Sequence, residues 1–193
     1  MIQAHVDTCF PHAGSSISVL QAHGALYAVR PLAKCDDAQV QALVTTTLAE
    51  FGVSGENCAA ADPELQQLSA YRDRTTGCQF YVVTPLENPS LVLGMGGYEH
   101  LKGTHPTEGK VEMAKWYFRS ECRGKGLGSK LLQFALREVQ SLGYRYAYME
   151  TTPKLLSKGM FLKAGFEPLL EKWGANGHTH PDITIFMAKL LIS

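Results

Sequence analysis

The stretch Lys115–Gln140, KWYFRSECRGKGLGSKLLQFALREVQ, decides how the chain is read. An apolar, β-prone run stops at Arg119 and a helical pattern opens near Ser129. Gly124, Gly126 and Gly128 alternate between them, beside Arg123 and Lys125. A helix N-terminus presents unpaired backbone N–H groups and the positive end of the peptide dipole. Glycines let the main chain approach an anion closely and accept conformations that other residues resist. With Arg123, Lys125 and Lys130 around it, the junction suits a phosphate or pyrophosphate. A glycine turn with no ligand is the plain alternative, against which the interleaved basic residues count. The loop lacks the Gly-Lys-Ser/Thr of a Walker sequence, and its G-x-G-x-G spacing departs from the dinucleotide G-x-G-x-x-G.

Working outward, Leu26–Leu32 (LYAVRPL) alternates up to Pro31 and reads as a strand. Val40, Leu43, Val44 and Leu48 recur at helical spacing after Asp36 and Asp37. Residues 61–72 predict a shorter helix with Pro63 in its first turn. Cys78–Thr84 and Ser90–Leu101 predict paired strands, a Gly-rich loop spans Gly103–Gly109, and residues 111–118 form the strand before the glycine junction. Leu131, Leu132, Ala135, Leu136 and Val139 stripe a helix ending near Gly143. Tyr144–Thr151 reads as the next strand, followed by a helical turn pattern from Pro153 to Gly165. Residues 165–171 and 182–191 supply the last strands. The fold class is α/β (α+β), one domain at 25–193 on a mixed, mainly antiparallel sheet with helices on both faces. Residues 1–24 read as an extension with a short strand at Ser18–Leu20.

Bulk properties narrow the function. Of 193 residues 45% are hydrophobic, enough for a sizeable core, and 18 Lys plus Arg balance 18 Asp plus Glu. That neutrality removes the broad basic field of a general nucleic-acid binder. Five scattered cysteines without a C-x-x-C pair suit reduced thiols rather than a disulfide framework or zinc. No apolar run approaches membrane-spanning length, and the N-terminus lacks the marks of a secretory signal. The expectation is a cytoplasmic enzyme with neither nucleic-acid nor membrane partners.

RGKGLG resembles the R/Q-x-x-G-x-G/A motif of the GNAT superfamily of acyl-CoA-dependent N-acyltransferases. EMAKWYF resembles the strand that precedes that motif, YMET the one that follows, and MFLKAGF the closing helix that ends in Gly-Phe. VRPL and AEFG are similar to early stretches of the family, so the likeness runs from Leu26 to Leu191. It implies acetyl-CoA as co-substrate, its pyrophosphate on Arg123, Gly124, Lys125, Gly126, Leu127, Gly128 and Ser129. Its pantetheine arm would then lie along Trp116, Tyr117 and Phe118, chiefly through backbone, with Tyr117 pointing away from its two neighbours. Lys125 and Lys130 read equally well as solvated charges.

Acetyl transfer to an amine needs a base for the ammonium, an N–H donor for the developing oxyanion and tolerance of a departing thiolate. The resemblance implies the oxyanion donor in the backbone near Phe118. Glu112 is the leading base, though pairing with Lys110 or Lys115 would equally explain it. Glu99 with His100, and Glu150, follow as catalytic candidates. Family members often carry a proton-donating Tyr where this chain has Phe161 and an Asn where it has Lys154. Phe161 is therefore expected to pack beside the pantetheine arm without chemical duty. His178 and His180, with Asp182 alone nearby, make a poor metal set, and a loop bordering the acceptor pocket is the better reading. Cys122 reads as an incidental thiol, since direct transfer needs no covalent enzyme intermediate.

The expected function is N-acetyl transfer to a primary amine of a small molecule or amino acid, by a monomer or homodimer. A non-catalytic acyl-CoA-binding or regulatory module of the same fold is the alternative. The variable stretches Asp36–Arg74, Gly103–Gly109 and Trp173–Asp182 hold mixed charge without a dense acidic patch, which disfavours a polycationic acceptor.

Overall fold

The computed structural model describes residues 17–55, 58–155, 157–175 and 184–191. Among them, eight strands form one sheet in the order β1-β2-β3-β4-β5-β6-β8-β7. These are β1 Ser18–Ala22, β2 Ala25–Pro31, β3 Gln79–Pro85, β4 Gly94–His100, β5 Lys110–Phe118, β6 Tyr146–Thr151, β7 Glu167–Leu169 and β8 Ile185–Leu190. The helices are α1 Asp37–Glu50, α2 Leu68–Arg74, α3 Leu127–Ser141 and α4 Ser157–Lys163. All pairings are antiparallel except β5–β6, which α3 connects. The strand expected at Ser18–Leu20 runs to Ala22 and pairs with β2, so the end of the N-terminal extension belongs to the sheet.

Alternation along the strands sends side chains to two main cores, beside a smaller cluster of Leu101, Tyr148 and Ala188. Tyr81, Val83, Val111 and Met113 pack with Leu131, Leu132, Ala135 and Val139 of α3. Phe80, Val82 and Met95 pack with Val40, Val44 and Leu48 of α1 on the opposite face. Helices thus cover both faces. The α1 end of the second core is pinned by a buried pair, Arg30 Nη1 to Asp36 Oδ2 at 2.7 Å and Nη2 to Oδ1 at 2.9 Å. Bidentate geometry of this kind fixes orientation as well as energy.

Among the boundaries that differ from the expected ones are the starts of β4 and α4. The strand expected from Ser90 starts at Gly94 because the Gln39 side chain takes over the earlier backbone, donating to Ser90 O at 2.8 Å and accepting from Val92 N at 3.1 Å. The helix expected from Pro153 starts at Ser157.

β5 carries the feature that shapes the site. Gly97 pairs with Ala114 and Met95 with Tyr117, so Lys115 and Trp116 together oppose Gly96. Lys115 takes a left-handed backbone, φ 58°. This β-bulge reverses the alternation. Trp116 and Phe118 join Val111 and Met113 on the α3 face, while Tyr117 stays with Ala114 on the α1 face. The parallel ladder with β6 covers only Lys110↔Tyr146 to Glu112↔Tyr148, and cavities open beyond it. No helix among the described residues is long and apolar enough to cross a membrane.

Candidate active site

The first cavity, about 420 Å³, lies against the glycine junction and is lined by Arg123, Gly124, Gly126, Leu127, Gly128 and Ser129 with Trp116–Phe118 of β5. Helix α3 begins at Leu127, two residues earlier than expected, with Gly126 as its N-cap at φ 75° and ψ 0°. No side chain caps that turn, which leaves its leading N–H groups as donors for an anion. Gly124, at φ 74°, is also left-handed, whereas Gly128 has an ordinary helical backbone and lies where a Cβ would stand 3.0 Å from Met160 Sδ.

Arg123 braces the loop. Its Nε donates to Phe118 O at 2.9 Å, and Nη1 lies 2.6 Å from Glu50 Oε2. Its charge is therefore shared with Glu50 rather than offered whole to a ligand. The rings of Trp116 and Phe118 cover Gly96 and Gly94 of β4, where side chains would collide with them, while a Cβ on the third glycine of the run GMGG, Gly97, would meet Gln79 O and Phe80 of β3.

A second cavity, about 100 Å³, opens between β5 and β6 and is bordered by Glu99, Glu112, Lys115 and Glu150. Trp116, Tyr117 and Leu155 line both cavities and join them. Glu99 faces Glu112 across the β4–β5 ladder, and Glu112 faces Tyr148 across β5–β6. Glu150, two residues beyond Tyr148, shares that face. Tyr71 Oη donates to Glu99 Oε2 at 2.6 Å and Tyr148 Oη to Glu150 Oε1 at 2.7 Å. Burial, then the hydrogen bond and charge of each glutamate, push both phenols far above their ordinary range, so they stay donors. Trp173 N donates to Tyr148 Oη at 3.3 Å, and Lys172 Nζ stands 3.5 Å from Glu150 Oε2. Lys115 Nζ lies 2.6 Å from Asp62 Oδ2 and 3.8 Å from Glu64 Oε1. The Trp116 indole N–H, at the joint between cavities, is buried without an acceptor among the described residues.

The structure therefore brings Glu99, Glu112 and Glu150 into one wall. The wall lies outside the variable stretches in which no dense acidic patch was expected. The carboxylates come from three neighbouring strands rather than from the variable loops, and the sheet's register assembles them. Tyr71, Tyr148 and the Lys115–Asp62 pair are site residues that sequence reasoning missed. Only Tyr148 left a signal, two positions before Glu150 on one strand face. His100 accompanies Glu99 no further, since its Nε2 lies 2.9 Å from Thr104 O and it borders neither cavity.

The remaining expectations divide. Tyr117 does point away from Trp116 and Phe118, its phenol pushed up by burial and by the charge of Asp62. Lys125 and Lys130 are exposed. Lys125 and Lys154, coenzyme-binding candidates by the resemblance, line neither cavity. Lys154 extends outward, its Nζ 3.4 Å from Gly52 O. Phe161 is fully buried, edge-on to Trp116 at 5.9 Å and to Phe166 at 5.0 Å, and borders the second cavity. Burial raises the Cys122 thiol, the opposite of activation. His178, His180 and Asp182 lie outside the described residues.

Comparison with known proteins agrees with this fold. The sequence model of the acetyltransferase (GNAT) family matches residues 45–166. The chain is 29% identical over 157 residues to an uncharacterized N-acetyltransferase, YjgM, of Escherichia coli (strain K12), covering 80% of this chain and 90% of that protein. A GNAT-family acetyltransferase from Staphylococcus aureus Mu50 shares the fold with a TM-score of 0.70 at 15% identity, over 86% of this chain and 99% of that one. Ribosomal-protein-alanine N-acetyltransferase from Brucella melitensis does so with a TM-score of 0.62 at 21% identity, over 84% and 99%.

Proposed function

This chain belongs to the acetyltransferase (GNAT) family, and from that premise we propose that it moves an acetyl group from acetyl-CoA directly to a primary amine of a small molecule. The observation that carries the reading is the joining of two unlike cavities at Trp116, Tyr117 and Leu155. One offers main-chain donors at a helix start; the other offers carboxylates.

Bound acetyl-CoA supplies an activated thioester carbonyl. The turn Arg123–Ser129 suits its diphosphate, through N–H groups that only glycine backbones at 124 and 126 can aim. Beyond Glu112, β5 has no ladder partner on its β6 side among the described residues. Its main chain there is free to align the pantetheine arm and, near Phe118, to donate to developing negative charge on oxygen.

An ammonium cannot attack until it loses a proton, and Glu112 is positioned to receive it, directly or through a water. Glu99, opposite on β4 and held by Tyr71, shares the acceptor's positive charge. Phe161 has no proton to give. A free thiol has a pKa of about 8.5, so its thiolate leaves without an acid of high demand.

The test is thiol release from acetyl-CoA across a panel of amines, with CoA binding followed by calorimetry. Glu112→Gln should lower kcat by roughly 10²- to 10⁴-fold while the Kd for CoA stays unchanged. Undiminished turnover would move the role of base to Glu99. CoA binding without thiol release from any amine would instead mark a non-catalytic CoA-binding module.

A further inference from the structure

We infer that the acceptor is a cationic amine with no carboxylate within a few bonds of its reacting nitrogen. The inference rests on the acetyltransfer reading and narrows its substrate class. Among the described residues, three carboxylates, Glu99, Glu112 and Glu150, border the second cavity against a single lysine, Lys115. That lysine is already matched: its side chain is 4% exposed, 2.6 Å from Asp62 and 3.8 Å from Glu64. An incoming carboxylate would have to displace two native ones to reach it.

Among the described residues, the other cations paired with the wall, Lys102 and Lys172, stand outside it. Lys102 is 4.0 Å from Glu99 and Lys172 is 3.5 Å from Glu150, and neither lines the cavity. The interior thus keeps a negative field although the chain as a whole has no net charge.

A second observation points to a ligand bearing N–H donors. The Glu150 side chain is 3% exposed, and among the described residues its Oε2 accepts no hydrogen bond, the Lys172 ammonium standing 3.5 Å away. A buried oxygen in that condition calls for a donor. An ammonium or its N–H groups supplies one, whereas an amino acid's carboxylate would add a fourth negative charge to a low-dielectric wall. The Trp116 N–H is neutral and sits at the joint with the coenzyme cavity, so it does not offset that charge. Discrimination here is by repulsion, which rejects the wrong substrate without requiring many contacts to the right one.

The experiment compares matched pairs of similar basicity whose acid member keeps its carboxylate within a few bonds of the nitrogen: propylamine with 3-aminopropanoate and butylamine with 4-aminobutanoate, each with acetyl-CoA and wild-type protein. Thiol release gives kcat/KM, and calorimetry of each amine against the CoA-saturated protein gives affinity apart from turnover. The alkylamine should be favoured by at least about a hundredfold in kcat/KM, and Glu150→Gln should narrow that ratio. Equal use of the acid, or a preference for it, overturns the inference and leaves acetyltransfer standing. Failure of every amine to release thiol, with CoA bound, overturns both.

Discussion

Trp116 covers Gly96: a Cβ added to Gly96 would stand 2.5 Å from the indole Cε3, and on the next β4 position of the same face Phe118 covers Gly94 more closely still. The two glycines are thus the floor on which the aromatic edge of β5 rests. Gly96→Ala should force the indole off that floor. Overpacking of this kind destabilises by about 1–3 kcal/mol, read as a lower urea midpoint. CoA affinity should fall with it, because Trp116 borders both cavities. Unchanged stability and affinity would mean that the indole has room to move.

The glycines of the junction separate by mechanism. Gly126 has φ 75° with nothing within 4 Å of where a methyl would stand, so Gly126→Ala meets only backbone strain. That strain is about 1–2 kcal/mol. Gly128 is helical, and alanine there gains about 1 kcal/mol of helix propensity. Its methyl would press on the flexible Met160 thioether and enter the coenzyme cavity. Gly128→Ala should therefore keep its unfolding midpoint yet bind CoA more weakly, and Gly126→Ala should lose stability. A larger stability loss at Gly128 would contradict this.

Much of this architecture was legible in the chain. The strand–glycine–helix junction, the helices on both faces and the opposite direction of Tyr117 follow from periodicity and from the conformational freedom of glycine. The bulge was not legible. Neither Gly nor Pro marks it, and a lysine holds the left-handed position. Without it, strict alternation would place Trp116 and Phe118 on the face of Glu112; with it, coenzyme and acceptor sides separate. The carboxylate wall was equally hidden, because register, not sequence proximity, sets Glu99 against Glu112 and Tyr148.

Lys115 combines strain and charge in a way that two variants can separate. Its side chain is 4% exposed in the pair with Asp62. Lys115→Ala removes the lysine from its pairs with that carboxylate and Glu64, and breaking a buried pair from one side typically removes about 3–5 kcal/mol. Lys115→Gly loses the same pair but relieves the left-handed backbone, by about 1 kcal/mol or slightly more. The glycine variant should unfold at higher urea than the alanine variant, and both below wild type. An alanine variant as stable as the glycine one would show that φ 58° carries no strain here.

Stability should carry a pH signature from α3. Burial raises the Glu138 carboxyl above its ordinary 4.5, and Tyr81 donates to it. The folded protein therefore holds this proton more tightly than the unfolded chain. Stability from the group is full below about pH 4.5 and is lost as pH rises through the raised value. Glu138→Gln retains an acceptor for Tyr81 and removes the titration. The difference in unfolding free energy between variant and wild type should shift in the variant's favour as pH rises from about 4, and level off once pH has passed the raised value. Any constant offset from the neutral hydrogen bond leaves that slope unaffected. A flat difference would show that Glu138 is not penalised by burial.

Phe161 tests whether the site lacks an acid or has no need of one. The ring is fully buried against Trp116 and Phe166 and borders the acceptor cavity. Phe161→Tyr adds a hydroxyl where a buried one without a partner is destabilising by about 1–3 kcal/mol. The expected result is a lowered Tm with kcat for thiol release unchanged across the pH range, because the departing thiolate already leaves readily. A gain in kcat confined to pH below about 8.5, the ordinary thiol pKa, would have the opposite meaning. It would show that capture of a proton by the leaving sulfur limits the wild-type protein, and that the phenol restores a step this chain otherwise performs slowly.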